Sequence, residues 1–166
     1  ILPEISEKLA EHNNLKVRRV LANNQNISGK AIEILSKYDD WEIKKSVVQH
    51  LNITPKASEN LANDEYWYIR YLLTQNPNLA QDVAIKLAKD QTIEVRKGLA
   101  QIKHISNDVA NILAIDSDDN VRMILAANIN ISETCKVTLA KDPNSSVKEE
   151  LILKQYLLKN IEGLLS

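Results

Sequence analysis

The stretch Val121–Ser132, VRMILAANINIS, nearly repeats Val17–Ser28, VRRVLANNQNIS, residue for residue. Val, Arg, Leu, Ala, two Asn, Ile and Ser coincide, and the copies begin 104 residues apart. Aligning the leading apolar–basic pair gives Val17-Arg18, Ile43-Lys44, Ile69-Arg70, Val95-Arg96, Val121-Arg122 and Val147-Lys148, each step being 26 residues with no insertion. The quoted copies are thus four steps apart. Other columns keep the same step: Leu21, Val47, Leu73, Leu99, Leu125, Leu151; Ile1, Ile27, Ile53, Leu79, Ile105, Ile131, Leu157; and Leu9, Leu35, Leu61, Leu87, Leu113, Leu139, Leu165. A fixed period of this length is the signature of a repeat architecture.

Each unit reads as two short helices. Val95 and Leu99 are four apart on one face, and Leu79, Val83 and Leu87 follow the i, i+4, i+8 spacing of a second helix. Ser28, Thr54, Ser106 and Ser132 stand where an N-cap hydroxyl belongs, with Ala80 the exception. Asn-rich turns join the first helix to the second, because Asn tolerates turn geometry and bonds nearby backbone. Helices this short are marginal alone, so each unit has to bury its apolar columns against its neighbours, as in a solenoid. The spacing predicts an all-α fold of about six 26-residue two-helix repeats in a single domain over 1–166: a partial N-terminal repeat over 1–16, five full repeats over 17–146 and a C-terminal cap or longer closing helix over 147–166.

NPNLAQDVAIKLAKDQTIEVRKGLA (76–100) and NINISETCKVTLAKDPNSSVKEEL (128–151) carry the combined pattern VRxxLAxNxN(I/L)S…LAxD. Over nearly the whole chain this resembles the leucine-rich repeat variant, a bacterial relative of the HEAT and armadillo repeats. The resemblance implies a right-handed α-α superhelix without strands, acting as a binding scaffold. Its members alternate α- and 3₁₀-helices at a slightly shorter period, so here both helices are expected to be α, closer to HEAT geometry. One member carries an iron–sulfur module, which needs a cysteine cluster; with Cys135 alone, no such cofactor is expected here.

Composition narrows the function. The net charge of −1 gives no global field toward nucleic acid or an anionic membrane. No apolar run approaches the roughly 20 residues of a membrane span. The lone cysteine fits a reducing compartment, so a cytoplasmic setting is expected. Ile1 in place of Met suggests a domain of a longer protein.

The basic column Arg18, Lys44, Arg70, Arg96, Arg122, Lys148 could form a nucleic-acid track. Against this, Asp64, Asp90, Asp116 and Asp142 each lie six residues before the basic residue of the next unit. That spacing predicts an internal ladder, each carboxylate pairing with Arg and with helix-start amides. Tyr38 breaks the Asp column, with Asp39 and Asp40 behind it. His50 and His104 fill turn positions that Asn occupies elsewhere, and no second ligand follows at metal spacing, so no metal is expected. Cys135 shares a column with Ala31, Ala57, Val83 and Val109, which predicts a buried, inert thiol. No phosphate loop or nucleophile elbow is present, and no catalytic residue is assigned.

The aromatics stand apart. Tyr38, Trp41, Tyr66, Trp67, Tyr68 and Tyr71 are six of the seven in the chain. The columns of Tyr68 and Tyr71 hold Glu42, Glu94 and Asn120, and Lys45, Lys97 and Met123, which predicts an exposed face. Tyr68, Tyr71 and Gln75 fall on one stripe, and Trp41 and Trp67 occupy one column, either as contact residues or as inter-repeat packing. The expectation is a non-enzymatic protein-interaction scaffold. Trp41, Tyr66, Trp67, Tyr68 and Tyr71 are its anchors, and Lys45, Gln75, Lys97 and Gln101 its rim. The partner is a protein, not a membrane; the chain is monomeric or weakly associated end to end through Ile1, Ile5 and Leu9. The alternative is a HEAT-like nucleic-acid-binding module using the Arg/Lys column.

Overall fold

A computed structural model describes residues 1–165, with side chains through Leu157; Leu165, the last member of its column, lies outside the described side chains. Among the described residues there are twelve α-helices and no strand. The first helix of each repeat is α2 (Leu15–Ala22), α4 (Trp41–Val48), α6 (Trp67–Thr74), α8 (Ile93–Ala100), α10 (Asp119–Ala126) and α12 (Ser145–Leu165). The second helices are α3 (Gly29–Leu35), α5 (Pro55–Ala62), α7 (Gln81–Leu87), α9 (Asn107–Leu113) and α11 (Glu133–Leu139), preceded by α1 (Pro3–Ala10) in the same role. Both helices of each repeat are α, and α12, 21 residues long, is the closing helix.

The chain forms two compact units, Ile1–Ala84 and Ile85–Ser166. In the first, α2, α4 and α6 stack as one row and α1, α3 and α5 as another, each helix also touching its neighbours in sequence. In the second, α8, α10 and α12 form one row and α9 packs on α11 behind it. Each unit is a two-layered helical-repeat stack.

The columns become the core. Ile43, Ile69, Val95, Val121 and Val147 are buried, as are Leu35, Leu61, Leu87, Leu113 and Leu139. At α1 and α2 the same columns open: Ile1, Leu9, Val17, Val20 and Leu21 line an apolar groove of about 350 Å³. The hydroxyls of Ser28, Thr54, Ser106 and Ser132 accept the backbone N–H groups of Ala31, Ala57, Val109 and Cys135, each three residues on. At Ala80, which has no hydroxyl, the corresponding Val83 N–H goes instead to Asp82 Oδ1 at 2.9 Å. Gly29 opens α3 where α5 comes close: a Cβ there would lie 2.8 Å from Thr54 Cγ2.

The asparagines do more than turn the chain. Asn76 Nδ2 donates to the carbonyls of Val48 and His50 at 2.6 and 2.9 Å, while its Oδ1 accepts the Asn78 N–H. Asn128 repeats this on Ala100 and Ile102 at 3.2 and 2.8 Å. Each carboxamide fastens the carbonyl end of one repeat to the next. His50, in the same column, is fully buried; its Nε2 donates to the Ala22 carbonyl at 2.7 Å, and its Nδ1 has no partner.

Candidate functional site

The basic column stands in the first turn of the first helices, and its arginines reach back over the turns that lead into them. Arg96 Nη1 donates to the Asp90 carbonyl, six residues back, at 2.7 Å. Its Nε and Nη2 grip the Asp116 carboxylate, twenty residues ahead, at 2.6 and 3.0 Å. Arg122 does the same with the Asp116 carbonyl at 2.6 Å and the Asp142 carboxylate at 2.6 and 3.2 Å. Arg70 Nη1 donates to the Asp64 carbonyl. The expected ladder therefore exists with a different connectivity. Six residues bring the guanidinium over the turn's backbone, so the Asp six places earlier offers its carbonyl. The carboxylate comes from the following repeat. In place of the predicted helix-start contacts, Oδ1 of Asp64, Asp90, Asp116 and Asp142 accepts the N–H of Tyr66, Thr92, Asp118 and Asn144, each standing just before a first helix.

Two rungs in the first unit depart. Lys44 bridges Asp64 at 2.7 Å and Asp39 at 2.8 Å. Arg18 donates to the His12 carbonyl, and its guanidinium sits 4.3 Å over the Tyr38 ring, a cation–π contact where Lys44, Arg96 and Arg122 have a carboxylate. A ring face accepts no directed bond from the fork, and Arg18 Nε is left without a partner. Asp40 pairs with Arg19 through two bonds of 2.7 and 3.1 Å and caps α4 at the Ile43 N–H.

Burial alone would raise the Asp142 carboxyl, but bonds from Arg122 and from the Asn144 N–H outweigh it and hold it below the ordinary 3.8. Asp40 is lowered chiefly by its bond from Arg19. Arg96 and Arg122 are raised by their bonds to Asp116 and Asp142.

Open grooves lie above two rungs. One of about 650 Å³ in the second unit is walled by Ile115, Ser117, Val137, Thr138 and Lys141 over the Arg122–Asp142 pair. One of about 500 Å³ in the first is walled by Lys37, Asp39, Asn60, Asn63 and Glu65 over Lys44–Asp64. They occupy the same register, three repeats apart.

The aromatic residues gather at the starts of α4 and α6, where Trp41 and Trp67 are each the first helical residue. Trp41 stacks on Tyr68 with centroids 5.7 Å apart, and Tyr68 stacks on Tyr71 at 5.8 Å. Trp67 meets Tyr68 and Tyr71 edge-on at 5.6 and 6.4 Å, and Tyr66 meets Trp41 edge-on at 6.2 Å. Five rings from two adjacent helices thus form one cluster. It stays open to solvent: Trp41, Tyr66, Trp67 and Tyr68 are 37, 49, 44 and 40 % exposed. The tryptophans, for which packing and contact roles were both open, project to the surface. Tyr71, expected on the exposed stripe, is instead half-buried beneath Trp67 and Tyr68. None of the three phenol hydroxyls and neither indole N–H bonds another described residue.

Lys45 and Gln75 are exposed beside this cluster in the first unit, Gln75 bonded to Thr74 Oγ1 at 2.8 Å. Half-buried Lys97 and exposed Gln101 belong to α8 and its end, in the second unit. Glu42, which follows Trp41, and Glu65, which precedes Tyr66, are also exposed and were not singled out from the sequence. Their columns hold unlike residues, so only their place beside the rings distinguishes them.

Other chemistry is sparse. Cys135 is buried, its Sγ 3.8 Å from the Ala110 carbonyl, and burial pushes its thiol up to about 11. No group of three or more His, Cys, Asp or Glu among the described residues could hold a metal ion. No described helix is long and apolar enough to cross a membrane. In comparisons with known proteins, no family model matches the chain and no curated protein is similar to it.

Proposed function

We propose that this chain is a non-enzymatic scaffold, resembling the leucine-rich repeat variant, that binds a protein partner in a cytoplasmic setting. Its recognition face is the outer surface of α4 and α6. The observation that carries this reading is the cluster of five rings in contact, four of them exposed. Trp and Tyr combine large apolar area with few rotatable bonds and a polar tip, so their truncation dominates the energetics of many interfaces. Lys45 and Gln75 stand at the rim. Lys97 and Gln101, on α8 and its end in the second unit, are proposed as polar contacts in their own right.

The ladder supports a protein partner over a nucleic acid. Lys44, Arg96 and Arg122 are committed to carboxylates of the next repeat, so these rungs offer phosphate little free charge. The test is affinity capture from a source lysate with nuclease present, at low and moderate salt. Wild type is set against a Trp67→Ala/Tyr68→Ala/Tyr71→Ala variant. A protein retained only by the wild type at both salts is the expected result; equal retention by the two overturns the assignment.

A further inference from the structure

We infer that the aromatic cluster takes a proline-rich segment in the polyproline II conformation, with an arginine or lysine at the end lying over Glu42 and Glu65. This rests on the protein-recognition reading above and names the partner's chemistry.

The first argument is hydrogen bonding. The face presents three phenol hydroxyls and two indole N–H groups that bond nothing in the described chain. It is a donor-rich surface on an apolar floor. A partner helix has already spent its carbonyls on itself, and a partner strand needs donors and acceptors in alternation, which a helical face does not supply. A polyproline II segment has no internal hydrogen bonds and presents its carbonyls to whatever surrounds it. Its proline nitrogens carry no N–H and ask for no acceptor. Phenol and indole donors on one side meet carbonyl acceptors on the other, and the prolines ask the face for no acceptor in return.

The second argument is shape. Trp41, Tyr68 and Tyr71 stack at 5.7 and 5.8 Å with interplanar angles of 23 and 25°. Trp67 stands at 85° to Tyr68 and Tyr66 at 82° to Trp41. Near-parallel rings flanked by upright ones form an uneven, rigid aromatic surface against which rigid pyrrolidine rings pack. Such a segment is already extended, so little chain entropy is lost on docking.

The third argument is charge. Glu42 and Glu65 are exposed at the starts of α4 and α6, adjoining Trp41 and Tyr66 in sequence, and neither forms an ion pair within 4 Å among the described residues. Asp39 stands on the same side, 77 % exposed, and is held by Lys44. Lys45 lies one turn farther along α4, in the Tyr71 register. Arg19, which acts on Glu42, is already paired with Asp40, and Lys44, 5.4 Å from the Tyr66 ring centroid, is held by Asp39 and Asp64, so Glu42 and Glu65 are left to receive the basic residue of the segment.

The chain provides its own reporter, because Trp41 and Trp67 are its only tryptophans and both lie in the cluster. The whole chain is screened against an arrayed Arg-x-x-Pro-x-x-Pro library and its Asp-x-x-Pro-x-x-Pro and Arg-x-x-Ala-x-x-Ala counterparts. The best members are then titrated by tryptophan fluorescence. Arg-flanked proline peptides are expected to give a saturable change and to bind about tenfold or more tightly than either counterpart, a gap of about 1.4 kcal/mol. Tyr68→Ala should abolish the response with helical circular dichroism unchanged. Glu42→Lys/Glu65→Lys, which leaves the rings intact, should shift the preference to the Asp-flanked library. No saturable binder in the proline libraries overturns the inference. If a lysate partner is still lost on the triple aromatic substitution, protein recognition stands and only the proline chemistry fails. Indifference of both peptides and lysate partner to that substitution overturns the reading beneath it as well.

Discussion

Asp142 shows how much a single side chain carries in this chain. Its carboxylate is 3 % exposed, takes two bonds from Arg122 and caps the turn at Asn144. Asp142→Asn keeps the shape and the turn contact but leaves Arg122 with a buried, unmatched charge, so it should cost about 3 kcal/mol in urea unfolding. The pH dependence follows in sign. The folded carboxyl titrates below its ordinary 3.8, so the pair's contribution is complete above that value and drains as pH falls through the lower folded one. Wild-type stability should fall across that acid range, and the Asn variant should lose part of the slope. At His50 the prediction reverses. The imidazole reaches only the Ala22 carbonyl and buries an unpaired Nδ1, where Asn76 and Asn128 each reach two carbonyls. His50→Asn restores the repeat's own solution and should gain about 1 kcal/mol in thermal or denaturant melts.

The helices are short and depend on their ends. Ser132 Oγ accepts the Cys135 N–H, and Ser132→Ala should cost about 1 kcal/mol in equilibrium unfolding. This is also the scale at which the sequence was most legible. Apolar residues four apart, a hydroxyl before each second helix and Asn between are local signals, and they mark the helices well because each depends on a few neighbouring residues. The ladder was only half legible. Asp116 stands twenty residues after one arginine and six before another, and spacing alone does not say which receives the carboxylate. Packing decides that. The aromatic site divides similarly. The variable columns of Tyr68 and Tyr71 pointed to a surface, yet Trp67 and Tyr68 lean over Tyr71 and half-bury it. Side-chain contacts within one helix turn escape a reading by column.

Across the molecule the net charge is −1, and Lys44, Arg96 and Arg122 are each matched to a carboxylate of the next repeat. Electrophoretic mobility shift with duplex DNA at moderate salt should show no retained complex, because nonspecific binding scales with the phosphates neutralised. Tight, salt-sensitive retention would contradict that. Whole-molecule properties were the least legible, since the division into Ile1–Ala84 and Ile85–Ser166 leaves no mark in a period that runs on unchanged.

The rungs have one more consequence, for how such a chain can change length. Arg96 and Arg122 each hold a carbonyl six residues behind and a carboxylate twenty ahead, and together these reaches span one repeat. A single-residue insertion between Arg122 and Asp142 would throw donor and acceptor out of step, whereas a duplicated block of 26 residues would meet its neighbours with every bond in place. The ladder thus works as a reading frame written in hydrogen bonds: descendants of this chain would grow and shrink by whole words, and a partial word would be lost to misfolding.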